Sequence, residues 1–155
     1  MRMYHHKGWS LCLRFAFAII GILLGFSGSL CFAVIYQNYH CSAWAFVSGV
    51  LALTTLVLHL SVWKDITYSM DPMTFRRLMY TGMIFSVLGT GAFIGYLCKG
   101  ILTHESGVQI HGWFIVTVWG WMTWKWGFLL FWYSKNYYNA LIEVISDILA
   151  INQDD

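Results

Sequence analysis

Four long apolar stretches alternate with short polar connections along the chain: Phe15–Tyr36, Ala43–Trp63, Leu78–Cys98 and Trp113–Tyr133. Each has about the 20 residues that an α-helix needs to cross a bilayer core. The pattern predicts one all-α, four-span transmembrane domain over residues 1–155. The apolar run of the first stretch is 22 residues. A cleavable signal has an apolar core of roughly 7–15, so this segment is expected to be a retained span.

The connections expected are Gln37–Ser42, Lys64–Arg77 and Lys99–Gly112, too short for a soluble domain. Asp71-Pro72, with the single proline, is a turn signal in the middle one. Gly21 and Gly25, and Gly91 and Gly95, have the GxxxG spacing that lets helix backbones approach in lipid. That spacing predicts packing, within the bundle or between copies as a homo-oligomer. After the fourth span, Ala140–Ile151 mixes aliphatic residues with Glu143, Ser146 and Asp147. It is expected to form a short interfacial helix in a cytoplasmic tail, residues 134–155. Tyr138–Leu141 fits a tyrosine-based sorting signal and points toward an endosomal or lysosomal membrane, with the plasma membrane as the alternative.

Charge sharpens this picture. Only 10% of residues are charged and 59% are hydrophobic, against about 25% charged in ordinary soluble domains. Arg2, Lys7, Arg14, Lys64, Arg76, Arg77 and Lys135 flank one side of the spans, and Lys99 stands alone on the other. This bias predicts both termini in the cytoplasm. The net charge of +2 is spread along span ends and forms no nucleic-acid patch. Cys41 and Cys98 would share the exoplasmic side, where either a disulfide or two free thiols is compatible with the chemistry.

Within the apolar stretches the exceptions carry the chemistry. Lys125 lies in the 21 residues Trp113–Tyr133, which hold six tryptophans and no other charge. A lysine at bilayer depth costs roughly 2.5–3.5 kcal/mol on insertion scales. No carboxylate occurs within any apolar stretch, so its partner need not be protein. His59 is the one histidine inside a span. Counted from the outer span ends, the two side chains differ in depth by about 6 Å and would meet if spans two and four are neighbours. Trp121, Lys125 and Trp132 share a helical stripe.

An imidazole, a buried cation and aromatic walls suit haem, whose iron takes histidine or tyrosine and whose propionates pair with cations. Histidines in the outer loops, His104, His111 and His40, are candidates for its capture. Tyr133, Lys135 and Tyr137 cluster where span four is expected to leave the membrane. Interfacial anchoring explains the Tyr and Lys equally well.

At these residues the chain resembles the haem-responsive-gene (HRG) haem transporters of animals. Gly49-Val50-Leu51-Ala52-Leu53 followed by His59 is similar to that family's second span. Val118-Trp119, Lys125-Trp126, Phe128-Leu129-Leu130 and Tyr133 are similar to its fourth. The resemblance implies that His59 is the intramembrane haem ligand and His104 the exoplasmic-loop one. It also implies a cytoplasmic aromatic-Ala-basic-basic-Tyr motif, here Tyr133-Ser134-Lys135-Asn136-Tyr137 with Asn136 in place of one basic residue.

The expected function is therefore transport of haem into the cytoplasm, with haem as cargo rather than permanent cofactor and no enzymatic step. Haem iron would be met by His59 and His104; Lys125, Tyr133, Lys135 and Tyr137 would make further contacts, with His111 and Trp121 as additional candidates. Expected partners are haem, membrane lipid and further copies of the chain. A tetraspan scaffold or trafficking adaptor is the competing class. A membrane redox protein is a third, but it ordinarily needs paired intramembrane histidines or a CxxC.

Overall fold

The computed structural model describes residues 8–64 and 71–151. Four helices follow one another: α1 (Gly8–Val34), α2 (Tyr39–Trp63), α3 (Pro72–Leu102) and α4 (Trp113–Ile151). Among the described residues there is no strand. Three of the helices are long and apolar enough to cross a membrane: α1 over Leu11–Val34, α2, and α3.

Local signals place the helix starts. The Asn38 side chain accepts a hydrogen bond from the Cys41 amide at 3.2 Å and caps α2. Asp71 does the same for the Met73 amide at 3.1 Å, and Pro72 follows at the first helical position, where its missing N–H costs nothing. This turn signal therefore opens α3 six residues before the expected Leu78. The α4 N-terminus is capped from a distance: a Glu105 carboxylate oxygen accepts from the Trp113 amide at 2.7 Å and the Phe114 amide at 3.3 Å.

α1 pairs with α2, α3 pairs with α4, and a smaller α2–α4 contact joins the two hairpins. α2 and α4 are therefore neighbours, the condition under which His59 and Lys125 could share an interior. Small side chains form the contacts. Gly25 of α1 lies against the backbone of Gly49 and Ala45 in α2. On α3, Gly82 faces Gly127 and Phe131, and Gly89 faces Gly120 and Trp124. Gly91 and Gly95 have nothing within 4 Å where a side chain would begin, so that GxxxG pair packs no helix of this chain.

The interior holds small and polar residues, including Ala45, Ser48, Ala52, Thr55 and Thr123, while large aliphatic residues such as Leu23, Val87 and Ile94 point outward. Water would force the opposite arrangement; a hydrocarbon surround does not, because packing rather than apolar burial holds helices together there.

Two expectations are corrected. The separate interfacial helix over Ala140–Ile151 does not form; those residues are the last turns of a continuous 39-residue α4. Residues 128–151 contain neither Gly nor Pro, so nothing interrupts the hydrogen-bond ladder. Within it Leu141 is buried, so Tyr138–Leu141 is not presented as an extended sorting peptide. Cys41 is buried and Cys98 exposed, and both are free. Arg2, Lys7 and residues 152–155 of the expected tail lie outside the described residues.

Candidate functional site: a cationic cleft between α1, α2 and α4

A cleft of about 390 Å³ opens between α1, α2 and α4, lined by Arg14, His59, Lys125, Trp126 and Tyr133 among others. That volume lies within the range of roughly 300–1,000 Å³ typical of small-molecule sites. Its walls are mainly apolar, with Phe17, Leu129 and Phe128 contributing.

His59 stands four residues before the end of α2 and is fully buried. Its Nδ1 lies 3.0 Å from the Tyr137 hydroxyl. The Tyr133 ring meets it edge-on at 4.5 Å between centroids. Tyr133 and Tyr137 are one helical turn apart on α4, so both face α2. His59 and the two tyrosines thus form one station at the α2 C-terminal end, whereas the sequence suggested an interior histidine and a separate tyrosine exit. His59 and Lys125 are also less level than span ends imply. Tyr133, against the imidazole, lies eight residues beyond Lys125, about 12 Å along α4. The shift arises because α2 extends its N-terminus to Tyr39 while α4 begins at Trp113, so Trp44 meets Thr123.

Lys125 Nζ sits 4.3 Å from the Phe17 ring centroid, 5.1 Å from Trp126 and 5.9 Å from Trp121. The Arg14 guanidinium lies 4.9 Å over the Tyr133 ring. Cation–π contacts are worth about 0.5–2 kcal/mol, which only partly offsets the cost of holding a cation away from water. Arg14 shares the cleft with no carboxylate.

Sequence reasoning counted Arg14 only as a flanking charge. It lies on the same stripe of α1 as the buried Ala18, Gly21 and Gly25, and that spacing was the available signal.

Other candidates fall elsewhere. Lys135 is exposed, with Nζ 5.9 Å from the Phe131 ring, and points away from the Tyr133–Tyr137 face. Trp121 is half exposed and lines a second groove with Thr90, Phe93 and Trp124, between α3 and α4. Trp124, Phe128 and Trp132 stack as an outward ladder at 6.3 and 6.1 Å. His104 is exposed in the α3–α4 loop, with a left-handed backbone at φ 52°. His111 lines a smaller pocket of about 270 Å³ with His40, Asn38 and Trp113. His40 contacts the Tyr96 hydroxyl at 3.2 Å, and Lys99 caps the Trp113 ring at 3.6 Å. This end of the bundle, opposite the His59 station, is thus an aromatic cluster with two histidines, and His104 does not line its pocket.

The chain is 28% identical to heme transporter hrg-4 of Caenorhabditis elegans over 102 residues, 65% of this chain and 55% of that protein. It is 27% identical to heme transporter hrg-6 over 141 residues, covering 82% and 86%. Heme transporter hrg-1, from the same organism, is 28% identical over 145 residues, covering 91% and 74%. The chain is thus similar to the HRG proteins over much of its length. No protein-family profile matches, and no solved structure does. The HRG likeness runs through most of the chain and includes the helices that build the cleft. Together with three helices long and apolar enough to span, this similarity marks an integral membrane protein.

Proposed function

We propose that this protein carries haem across a membrane into the cytoplasm, with α4 as its fourth span and both termini on the cytoplasmic side. The observation that carries the reading is the cleft itself. It places one imidazole, one phenol ring and two cations around an apolar volume open between three helices. Each group matches a part of haem: nitrogen or phenolate oxygen for iron, cations for propionates, aliphatic and aromatic walls for the ring.

Tyr137 supports this assignment. A metal-bound histidine usually donates its other ring N–H to a fixed acceptor, which orients the ring and raises its basicity. With Nδ1 engaged by the Tyr137 hydroxyl, Nε2 is the nitrogen available to iron. One imidazole with a neighbouring phenol holds iron less tightly than a bis-histidine clamp, which suits a site that must also release. His104 would serve as an outer contact remote from the cleft, and the lysosomal or plasma-membrane location is left to labelling.

The test is haem-dependent growth and fluorescent porphyrin uptake in haem-auxotrophic cells expressing the chain. Uptake should exceed the empty-vector level and fall several-fold in His59→Ala at equal surface amount. Absence of uptake by correctly inserted protein favours the scaffold reading. A stoichiometric haem spectrum that survives washing favours a resident redox centre.

A further inference from the structure

The cleft contains more positive charge than iron ligation requires. Lys125 Nζ rests over Phe17, and Arg14 stands one turn before Phe17 on α1, about 4.5 Å along the axis. Both cations line the same cleft. Like charges repel in a low dielectric, and among the described residues neither has a carboxylate in the cleft. The described acidic residues lie elsewhere: Asp71 caps α3, Glu105 caps α4, and Glu143 and Asp147 sit in the last turns of α4.

A third donor adds an independent observation. Trp126 is 2% exposed, lines the same cleft, and its indole Nε1 has no hydrogen-bond partner. A buried N–H without an acceptor is costly and uncommon in a native interior. Serine or backbone groups satisfy such donors ordinarily; here the ring is wedged against Gly21, where no side chain could fit. Among the described residues, two cations without a carboxylate and one donor without an acceptor share this apolar volume. The complementary occupant is an amphiphile with two carboxylates, each taking a charge-assisted hydrogen bond.

We propose that Arg14, Lys125 and Trp126 form a carboxylate subsite beside the His59–Tyr137 station, which selects planar dicarboxylates whatever metal they carry. This deepens the haem reading and rests on it. Holding the acidic arms at one place and the metal at another divides recognition between two weak contacts. A ligand held by two such contacts can leave one while keeping the other.

The experiment uses the full chain in phosphatidylcholine nanodiscs, titrated with zinc mesoporphyrin and with its dimethyl ester, after subtraction of binding to empty discs. The diacid should bind about tenfold or more tightly than the ester. Arg14→Gln and Lys125→Gln should each shrink that ratio several-fold, and Trp126→Phe should shrink it less. Arg14→Lys and Lys125→Arg should keep it, which separates charge from folding. His59→Ala should preserve the ratio while losing the haem absorption shift seen with wild type. A wild-type ratio near one, with haem still bound, overturns the subsite and leaves transport standing. Binding of neither haem nor porphyrin overturns both.

Discussion

The Nδ1 atom of His59 on α2 lies 3.0 Å from the hydroxyl of Tyr137 on α4, so this buried imidazole is tied to the opposite hairpin. The contact sets the ring's orientation and ties a candidate ligand to the joint between two halves of the bundle.

Tyr137→Phe removes that partner without changing ring volume. Loss of such a supporting contact typically costs about 10- to 100-fold in metal affinity. Haem titration of the purified variant, followed by absorbance, should show at least the lower figure. An unchanged affinity would mean that iron does not use His59.

The Tyr133 and Lys135 side chains lie on different faces of α4, and their substitutions should separate. Tyr133→Ala removes the ring against His59 and the support under Arg14, and should weaken porphyrin binding several-fold. Lys135→Ala should leave equilibrium binding in the cleft unchanged. Equal losses in the two variants would place the ligand on the exposed side of α4 instead.

Glycine substitutions should sort by seam. A side chain at Gly82 would meet the backbone of Phe131 and Gly127, so Gly82→Leu should cost about 1–3 kcal/mol through overpacking. Gly91→Leu and Gly95→Leu enter open space and should stay within about 0.5 kcal/mol. Thermal unfolding in a fixed detergent compares the three. A large loss at Gly91 or Gly95 would reveal a contact with another copy.

Glu105 bridges the outer loop to the start of α4. Glu105→Ala removes the acceptor of two helix-terminal amides and should cost about 0.5–2 kcal/mol. Hydrogen exchange at Trp113 and Phe114 should accelerate, while exchange in the α2–α4 core should not.

Much of this was legible in the chain. The helices were visible because the apolar runs are long, while the α2–α4 contact beside His59 entered only as a condition. The α3–α4 seam was not visible, because Gly82 and Gly89, like Gly120 and Gly127, recur at seven residues rather than four. That spacing marks one face across two turns, and a search for GxxxG passes over it. The end of α4 was misjudged because Ser134, Lys135, Asn136 and Asn139 read as a membrane exit, although polar composition does not stop a helix that lacks Gly or Pro. Register between α2 and α4 was beyond reach, since apolar run ends are not helix ends. Arg14 was missed for a related reason: a charge at a span boundary was read as an address label.

The pairing of α1 with α2 and of α3 with α4 leaves the thinnest contact between the hairpins. A body made of two stiff leaves on a narrow spine flexes at the spine. The imidazole and its phenol partner sit along that line, so a tilt of one leaf against the other would part His59 from Tyr137.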